Sequence, residues 1–276
     1  LGLMQLEELG TLETPIALTN TLNVGLVHDA LVEYMIGLGH QEGIEIQSVN
    51  PIVCECNDGA LSDIQRRVIG RKEVMQAIAS ASADFAQGNV GAGTGTVCHS
   101  LKGGIGSSSR VMTVGGVQYT LGVLAQTNYG HLSDLMIDGR KVGKAIEAGI
   151  AQEKVDKGSC ILIVGTDLPV SARQLSRILR RASVGLARVG SYIGHGSGEV
   201  VVGFSTANRI RLAEDRGTVA MEVLNEGLID IPFRACAEAV EEAILNSLAA
   251  AETTVGRGGV KKTALVDLLP QEGRHA

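Results

Sequence analysis

Tryptophan is absent from the sequence, and aromatic residues make up only 3% of its 276 residues. Proteins that bind single-stranded nucleic acid stack the bases on aromatic side chains, and this chain offers few of them. The formal net charge of −6 also argues against a surface that binds phosphate backbones. No apolar run is long enough to span a bilayer. We therefore expect no nucleic-acid partner and no membrane partner.

Cysteine is scarce as well, and its five copies do not suit a disulfide framework. Their count is odd, and three of them lie in apolar, strand-like segments. This favours a reducing compartment, and we expect a cytoplasmic location. The chain begins at Leu1 instead of Met, so we expect a fragment or a processed product from which a targeting signal could be lost. Cys54-Glu55-Cys56 has no second pair at ligand spacing, which predicts no metal site.

Glycine, by contrast, is abundant, with 36 copies set among segments of two alternating periods. Alternation with period two predicts strands, and apolar recurrence at i, i+3 and i+4 predicts helices. The predicted strands cover residues 15–21, 48–58, 117–128, 160–167 and 198–208, and the predicted helices cover 27–38, 71–87, 142–152, 171–181 and 233–252. We expect Gly39 to end the first helix and Phe85 to lie on the buried side of the second. This interleaving predicts an α/β or α+β fold, with residues 1–276 as a single domain.

The densest glycine run, GNVGAGTGT at residues 88–96, resembles part of a dinucleotide-binding fingerprint. That fingerprint needs a strand directly before it and a helix directly after it. Here a predicted helix precedes the run and more glycines follow it. In LKGGIG (101–106) the lysine precedes the glycines, which is opposite to the order in a phosphate loop. We favour close backbone packing around a site, and a non-catalytic nucleotide-binding protein stays as an alternative.

A conventional Ser–His–Asp triad has little support in the sequence, because no G-x-S-x-G motif is present. His195 and Ser197 lie two residues apart, so an extended segment would place both side chains on the same side. A Ser–His pair there is one alternative, and an exposed loop histidine is the other.

Gly158-Ser159 offers a different nucleophile, at the mouth of the predicted strand CILIVGTD. If the peptide bond between these residues breaks, Ser159 gains a free α-amine with a reference pKa of roughly 7.7–8.0, which can act as general base for its own hydroxyl. The same hydroxyl could first attack the Gly158 carbonyl, since glycine tolerates the strained backbone that this step needs. The structural alternative is that Gly158 turns the chain and Ser159 starts the strand.

Five stretches, in order along the chain, resemble one family of self-cleaving hydrolases. They are ETPIALTNTLNVG (13–25), GNVGAGTGTVCHSLKGGIGSSSR (88–110), YTLGVLAQTNYG (119–130), GSCILIVGTDLP (158–169) and GSGEVVVGFSTAN (196–208). The family is that of the L-aminopeptidase/D-esterases and β-peptidyl aminopeptidases, which are serine hydrolases with an N-terminal nucleophile. The resemblance implies a four-layer α/β/β/α sandwich. It also implies cleavage between Gly158 and Ser159 into an α-subunit portion, residues 1–158, and a β-subunit, residues 159–276.

The resemblance also implies roles for single residues. Ser159 would be the nucleophile, with Ser197 and Glu199 as its partners. A two-residue step in an extended strand places these partners on one side, where the carboxylate can orient the hydroxyl. Asn128 would stabilise the oxyanion, and Glu55 would receive the ammonium group of the substrate.

The implied activity is that of an aminopeptidase or amidase that acts on short peptides or amino-acid amides. It would need no cofactor, and the resemblance implies a homo-oligomer of processed two-chain units. Family members carry a further N-terminal segment upstream of the position of Leu1, so we expect that part of the family fold to be missing here. Asn57 stands where some members have an aromatic residue, which implies more hydrogen bonding at that substrate-binding position. The enzymatic alternative is an acyltransferase of the ornithine acetyltransferase type, in which the nucleophile is threonine.

Overall fold

A computed structural model describes residues 2–146, 158–211 and 217–269 of the chain. Its helices are α1 (Gly2–Leu9), α2 (Val24–Glu42), α3 (Arg71–Ala79), α4 (Gly143–Ile146), α5 (Ala172–Leu179), α6 (Ala182–Arg188) and α7 (Asp230–Ala249). Its strands are β1 (Ile16–Asn20), β2 (Ile52–Cys56), β3 (Val97–Cys98), β4 (Leu101–Lys102), β5 (Ile105–Val114), β6 (Val117–Asn128), β7 (Gly158–Thr166), β8 (Ser197–Ser205), β9 (Thr254–Val255) and β10 (Lys261–Lys262).

The largest sheet has four strands in the order β5-β6-β7-β8. β6 is antiparallel to both of its neighbours, β5 and β7, whereas β7 and β8 run parallel. Gly115 and Gly116 form the two-residue turn between β5 and β6, and both have a positive φ, +59° and +85°. A hairpin turn of this kind requires positive φ at both central positions, which glycine adopts without strain. Parallel pairing needs a longer connection, and α5 and α6 lie between β7 and β8 in the chain.

Three apolar clusters define the layers of the fold. The largest cluster lies between α5–α7 and one face of the four-stranded sheet, with α7 packed on β5 and β6. The second joins the other face of that sheet to the parallel pair β1–β2. The third joins the outer face of β1–β2 to α2 and α3. The order of layers is therefore helix, sheet, sheet, helix, which is the four-layer α/β/β/α sandwich.

Two expectations about single residues in the helices, those for Phe85 and Gly39, are wrong. The helix predicted over 71–87 ends at Ala79, and Phe85 is 46% exposed, so its expected burial is wrong. Gly39 does not end α2, which continues to Glu42 and is capped by Gly43 at a φ of +72°. A Cβ at Gly39 would lie 2.7 Å from Ile44 O, so this glycine serves a close backbone contact instead.

The other predicted elements match more closely. Ser171 and Gln174 form a capping box at the start of α5, and this helix, predicted over 171–181, ends at Leu179. The helix predicted over 142–152 begins as α4, and its later part lies outside the described residues.

In the described parts of the chain, no helix combines the length and the apolar character needed to cross a membrane. Within the same ranges, no group of three or more His, Cys, Asp and Glu side chains is placed to hold a metal ion.

Candidate active site

Three adjacent strands bring four of the predicted site residues to one end of the large sheet. Asn128, the last residue of β6, pairs with Ser159 near the start of β7. Ser159 also pairs with Gly198 in β8, so Ser197 and Glu199 lie on either side of its partner. These residues are far apart in sequence, and their meeting depends on the register of the sheet.

The side chain of Ser159 faces the second sheet. It lies on the same side of β7 as Ile161 and Ile163, which pack against β2. There the thiol of Cys56, the last residue of β2, lies 3.6 Å from Ser159 O. Burial raises the pKa of Cys56 to about 12, although a hydrogen bond with the Ser159 side chain lowers it in part. The thiol is therefore neutral at pH 7 and contacts the serine without acting as a base.

The amide of Asn128 is held by two hydrogen bonds. Its Oδ1 accepts from Val97 N–H at 3.0 Å, and its Nδ2 donates to Asn57 O at 3.0 Å. Directly paired residues of an antiparallel sheet point to the same face, so the side chains of Asn128 and Ser159 leave the sheet together. An amide NH₂ has two donors, and the second has no partner in the described part of the chain. That donor can serve an oxyanion on this face.

Ser197 and Glu199 form a pair of their own. Ser197 Oγ donates to Glu199 Oε1 at 2.5 Å, as the two-residue step along an extended strand predicts. The other oxygen, Glu199 Oε2, is buried and has no hydrogen-bond partner among the described residues. The register places this pair on the face of Cys160, opposite to the Ser159 side chain. Backbone N–H groups of a strand point to the neighbouring strands within the sheet, so the backbone nitrogen of Ser159 lies between the two faces.

Ser197 bonds to Glu199, and His195 is an exposed loop residue. This arrangement favours the exposed-loop interpretation of His195 over a Ser–His pair.

Glu55, in β2, and Asn57, directly after that strand, make different contacts. Glu55 alternates with Cys54 and Cys56, which face the large sheet, so its side chain lies on the α2 side, where it accepts a hydrogen bond from Thr21 Oγ1. It is partly exposed there. Asn57 is exposed, and its Oδ1 accepts from Gly59 N–H at 3.1 Å. Among the described residues, the carbonyl of Asn57 thus contacts Asn128. The carboxylate of Glu55 contacts Thr21.

The glycine-rich segment packs closely against other backbone. A Cβ at Gly104 would lie 2.4 Å from Gly88 O, and one at Gly103 would lie 2.6 Å from Thr127 O. Its only helical piece among the described residues is a three-residue 3₁₀ turn at Gly91–Gly93, and the strands β3 and β4 follow it. The strand–turn–helix context of a dinucleotide-binding fingerprint is therefore not formed by residues 88–106, and the close-packing interpretation is confirmed.

Two residues of this region were not predicted as site residues from the sequence. Lys102 is completely buried in the glycine-rich segment, and Cys56 contacts Ser159. For Lys102 a signal existed, since a lone lysine between Leu101 and Gly103-Gly104-Ile105 has no neighbouring polar residue. For Cys56 the only signal was the apolar alternation in β2. That alternation predicts that one face of the strand is buried, but it does not predict which residues this face contacts.

The sequence of this chain is similar to those of known peptidases. Residues 1–262 match the family model described as Peptidase family S58. The chain is 37% identical over 274 residues to the β-peptidyl aminopeptidase BapA of Sphingosinicella xenopeptidilytica, a match that covers 94% of this chain and 68% of that protein.

Solved structures of similar proteins share the fold. A crystal structure of a Pyrococcus horikoshii protein matches with a TM-score of 0.90 and 46% identity, over 96% of this chain and 73% of that one. The L-aminopeptidase D-Ala-esterase/amidase of Ochrobactrum anthropi matches with a TM-score of 0.84 and 34% identity, over 94% of this chain and 74% of that one. The latter is described as a prototype for the serine aminopeptidases and a new variant of the Ntn hydrolase fold.

Proposed function

Since this chain belongs to peptidase family S58, we propose that it is an aminopeptidase that uses Ser159 as its N-terminal nucleophile after cleaving its own chain at Gly158-Ser159. The observation that carries this proposal is the register of β6, β7 and β8. It sets Ser159 between Asn128 on one neighbouring strand and the hydrogen-bonded pair Ser197–Glu199 on the other.

The first step is an acyl shift within the chain. The Ser159 hydroxyl attacks the Gly158 carbonyl carbon, the bond from that carbon to Ser159 N breaks, and an ester forms on Ser159 Oγ. The hydroxyl proton passes to the departing nitrogen. Water then hydrolyses the ester, which leaves a carboxylate on Gly158, the hydroxyl on Ser159 and a free α-amine on Ser159.

In the turnover reaction the α-amine of Ser159 acts as the base. Its reference pKa of roughly 7.7–8.0 leaves a useful fraction unprotonated near neutral pH, so it can take the hydroxyl proton as Oγ attacks a substrate carbonyl. The amine lies between the two faces of the sheet. It can therefore reach its own hydroxyl on one face and Ser197, oriented by Glu199, on the other.

The developing oxyanion is stabilised by Asn128. Its Nδ2 retains one donor on the Ser159 face, and a side-chain donor at such a position contributes roughly 3–4 kcal/mol to transition-state stabilisation. The departing amine takes the proton from the Ser159 α-amine, and the acyl group stays on Oγ until water releases it. No metal takes part in any of these steps.

Short peptides and amino-acid amides or esters are the proposed substrates. An exopeptidase must fix the register of the first substrate residue, and a carboxylate that binds the substrate's ammonium group does so. We assign this role to Glu55, which is partly exposed at the end of β2, with Asn57 beside it. We also propose that the processed two-chain units assemble as a homo-oligomer in a reducing, cytoplasmic compartment.

The test is a panel of α- and β-amino-acid p-nitroanilides assayed with the wild type and with Ser159→Ala. We expect hydrolysis by the wild type and none by Ser159→Ala, because the variant lacks the attacking oxygen. Ser205→Ala is the matched control, since Ser205 lies at the far end of β8 and bonds to Leu168 O. It should keep full activity.

Two results would contradict the proposal. One is hydrolysis by Ser159→Ala at the wild-type rate. The other is diversion of the acyl group to an added amine acceptor in preference to water, which would favour the acyltransferase alternative.

A further inference from the structure

Lys102 is the largest side chain that is completely buried in the described chain. A buried ammonium group is costly unless its charge and its donors are compensated. Here the three N–H donors of Nζ are all used by backbone carbonyls: Gly93 O at 2.9 Å, Thr96 O at 3.1 Å and Gly103 O at 2.6 Å. The cation therefore joins three points of the glycine-rich segment.

One of these carbonyls belongs to a peptide unit that also contacts the candidate site. Thr96 C=O and Val97 N–H are the two polar ends of a single planar peptide. Lys102 Nζ donates to the oxygen of that peptide, and the N–H of the same peptide donates to Asn128 Oδ1 at 3.0 Å. A continuous chain of hydrogen bonds therefore runs from the ammonium group to the amide of Asn128.

This chain has two physical effects on Asn128. It fixes which way the amide points, because Oδ1 must face Val97 N–H and Nδ2 must then face the other way. It also polarises the amide, since hydrogen bonds in series strengthen one another by roughly 10–30% per bond and a cation at the start adds to this. Polarisation makes Nδ2 a stronger hydrogen-bond donor, and the fixed orientation directs it to the right position.

We propose that Lys102 is a positioning residue for the oxyanion donor Asn128, acting through the Thr96–Val97 peptide. The inference rests on the function proposed above, in which Asn128 stabilises the oxyanion. It assigns Lys102 no contact with the substrate and no proton transfer.

The charge that this role needs is present at neutral pH. Burial lowers the pKa of Lys102 to about 8, while the nearby Cys98 and Asp58 act in the opposite direction. Most of the lysine is thus protonated at pH 7.

The test begins with Lys102→Met, which keeps the length of the side chain and removes its charge and its donors. We expect kcat on an amino-acid p-nitroanilide to fall on the order of tenfold, with KM nearly unchanged. This is less than the 10²–10³-fold that loss of an oxyanion donor itself costs. Lys262→Met is the matched control, because Lys262 Nζ contacts Ser100 O of the same segment but not the Thr96–Val97 peptide. It should retain wild-type kcat.

A double-mutant cycle with Asn128→Ala separates positioning from a general loss of structure. If Lys102 acts through Asn128, Lys102→Met causes no further loss of kcat in the Asn128→Ala background. Equal losses in both backgrounds, or a wild-type kcat for Lys102→Met, would overturn the inference. Lys102→Gln keeps two N–H donors without the charge, and we expect it to fold and to lose kcat less than Lys102→Met.

These outcomes are distinguishable from a failure of the proposed function. If the wild type hydrolyses nothing, or Ser159→Ala is fully active, the proposed function fails. If Ser159→Ala and Asn128→Ala lose activity while Lys102→Met does not, only the role of Lys102 is wrong.

Discussion

Glu199 combines a short hydrogen bond with a buried oxygen that lacks a partner among the described residues. Oε1 accepts from Ser197 Oγ at 2.5 Å, while Oε2 is buried and unsatisfied. A buried acceptor without a donor costs roughly 1–3 kcal/mol of stability. Residues retained at such a cost are commonly functional. In the proposed mechanism the carboxylate is needed to orient Ser197 toward the α-amine of Ser159.

We expect Glu199→Gln to lower kcat on the order of 10²-fold, the lower end of what general acid–base groups contribute. Glutamine keeps an oxygen that can accept from Ser197 but loses the negative charge. The thermal unfolding midpoint should not fall, since the charge that is removed has no ion pair in the described chain.

The control is Glu241→Gln, a partly buried glutamate on α7 that pairs with Arg188 at 3.1 Å. It should leave kcat unchanged. Steady-state kinetics of both variants measure the difference, and equal kcat values for the two would contradict the role of Glu199.

At the scale of the elements, the close packing of α7 on the sheet requires a glycine in the strand β5. A Cβ at Gly106 in β5 would lie 1.9 Å from Ala243 O and 2.5 Å from Ser247 N, both in α7. Backbone atoms of a helix cannot move aside as a flexible side chain can. The absence of a side chain at Gly106 therefore allows α7 to approach β5 this closely.

Gly106→Ala should lower the free energy of unfolding by about 3 kcal/mol, the upper end of the cost of overpacking a core. Gly122→Ala in the neighbouring strand β6 is the matched control, because a Cβ there meets no atom within 4 Å. Urea unfolding of the two variants should separate them clearly. A wild-type stability for Gly106→Ala would show that α7 does not rest on this strand as described.

Elements with a clear local pattern could be predicted from the sequence, whereas β5, which contains the polar run at residues 107–110, was not predicted. Apolar alternation over 117–128 and the long amphipathic pattern over 233–252 gave β6 and α7 within a few residues. The end of α3 at Ala79 could not be predicted, since residues 80–86 continue an apolar spacing although the structure leaves them exposed. Phe85 illustrates this, being exposed where a helical pattern predicts burial.

At the scale of the whole molecule, four layers place the candidate site where two sheets meet. Ser159 leaves the large sheet toward β2, while Ser197 and Glu199 leave it toward the α5–α7 layer. The roles of Ser159, Ser197, Glu199 and Asn128 were predicted from a family resemblance. The periodicity of the sequence could not predict that these residues lie together, because the pairing of β6 with β7 joins Asn128 to Ser159, 31 positions away. Local patterns also could not place Glu55 on the α2 face or Lys102 inside the glycine-rich segment.

In the proposed mechanism, Ser159 becomes the first residue of a chain. The most direct measurement is intact mass spectrometry of the active protein, followed by N-terminal sequencing of the smaller fragment. We expect two fragments, the smaller of which begins with Ser159. A single uncleaved chain of 28.8 kDa with full aminopeptidase activity would contradict the account.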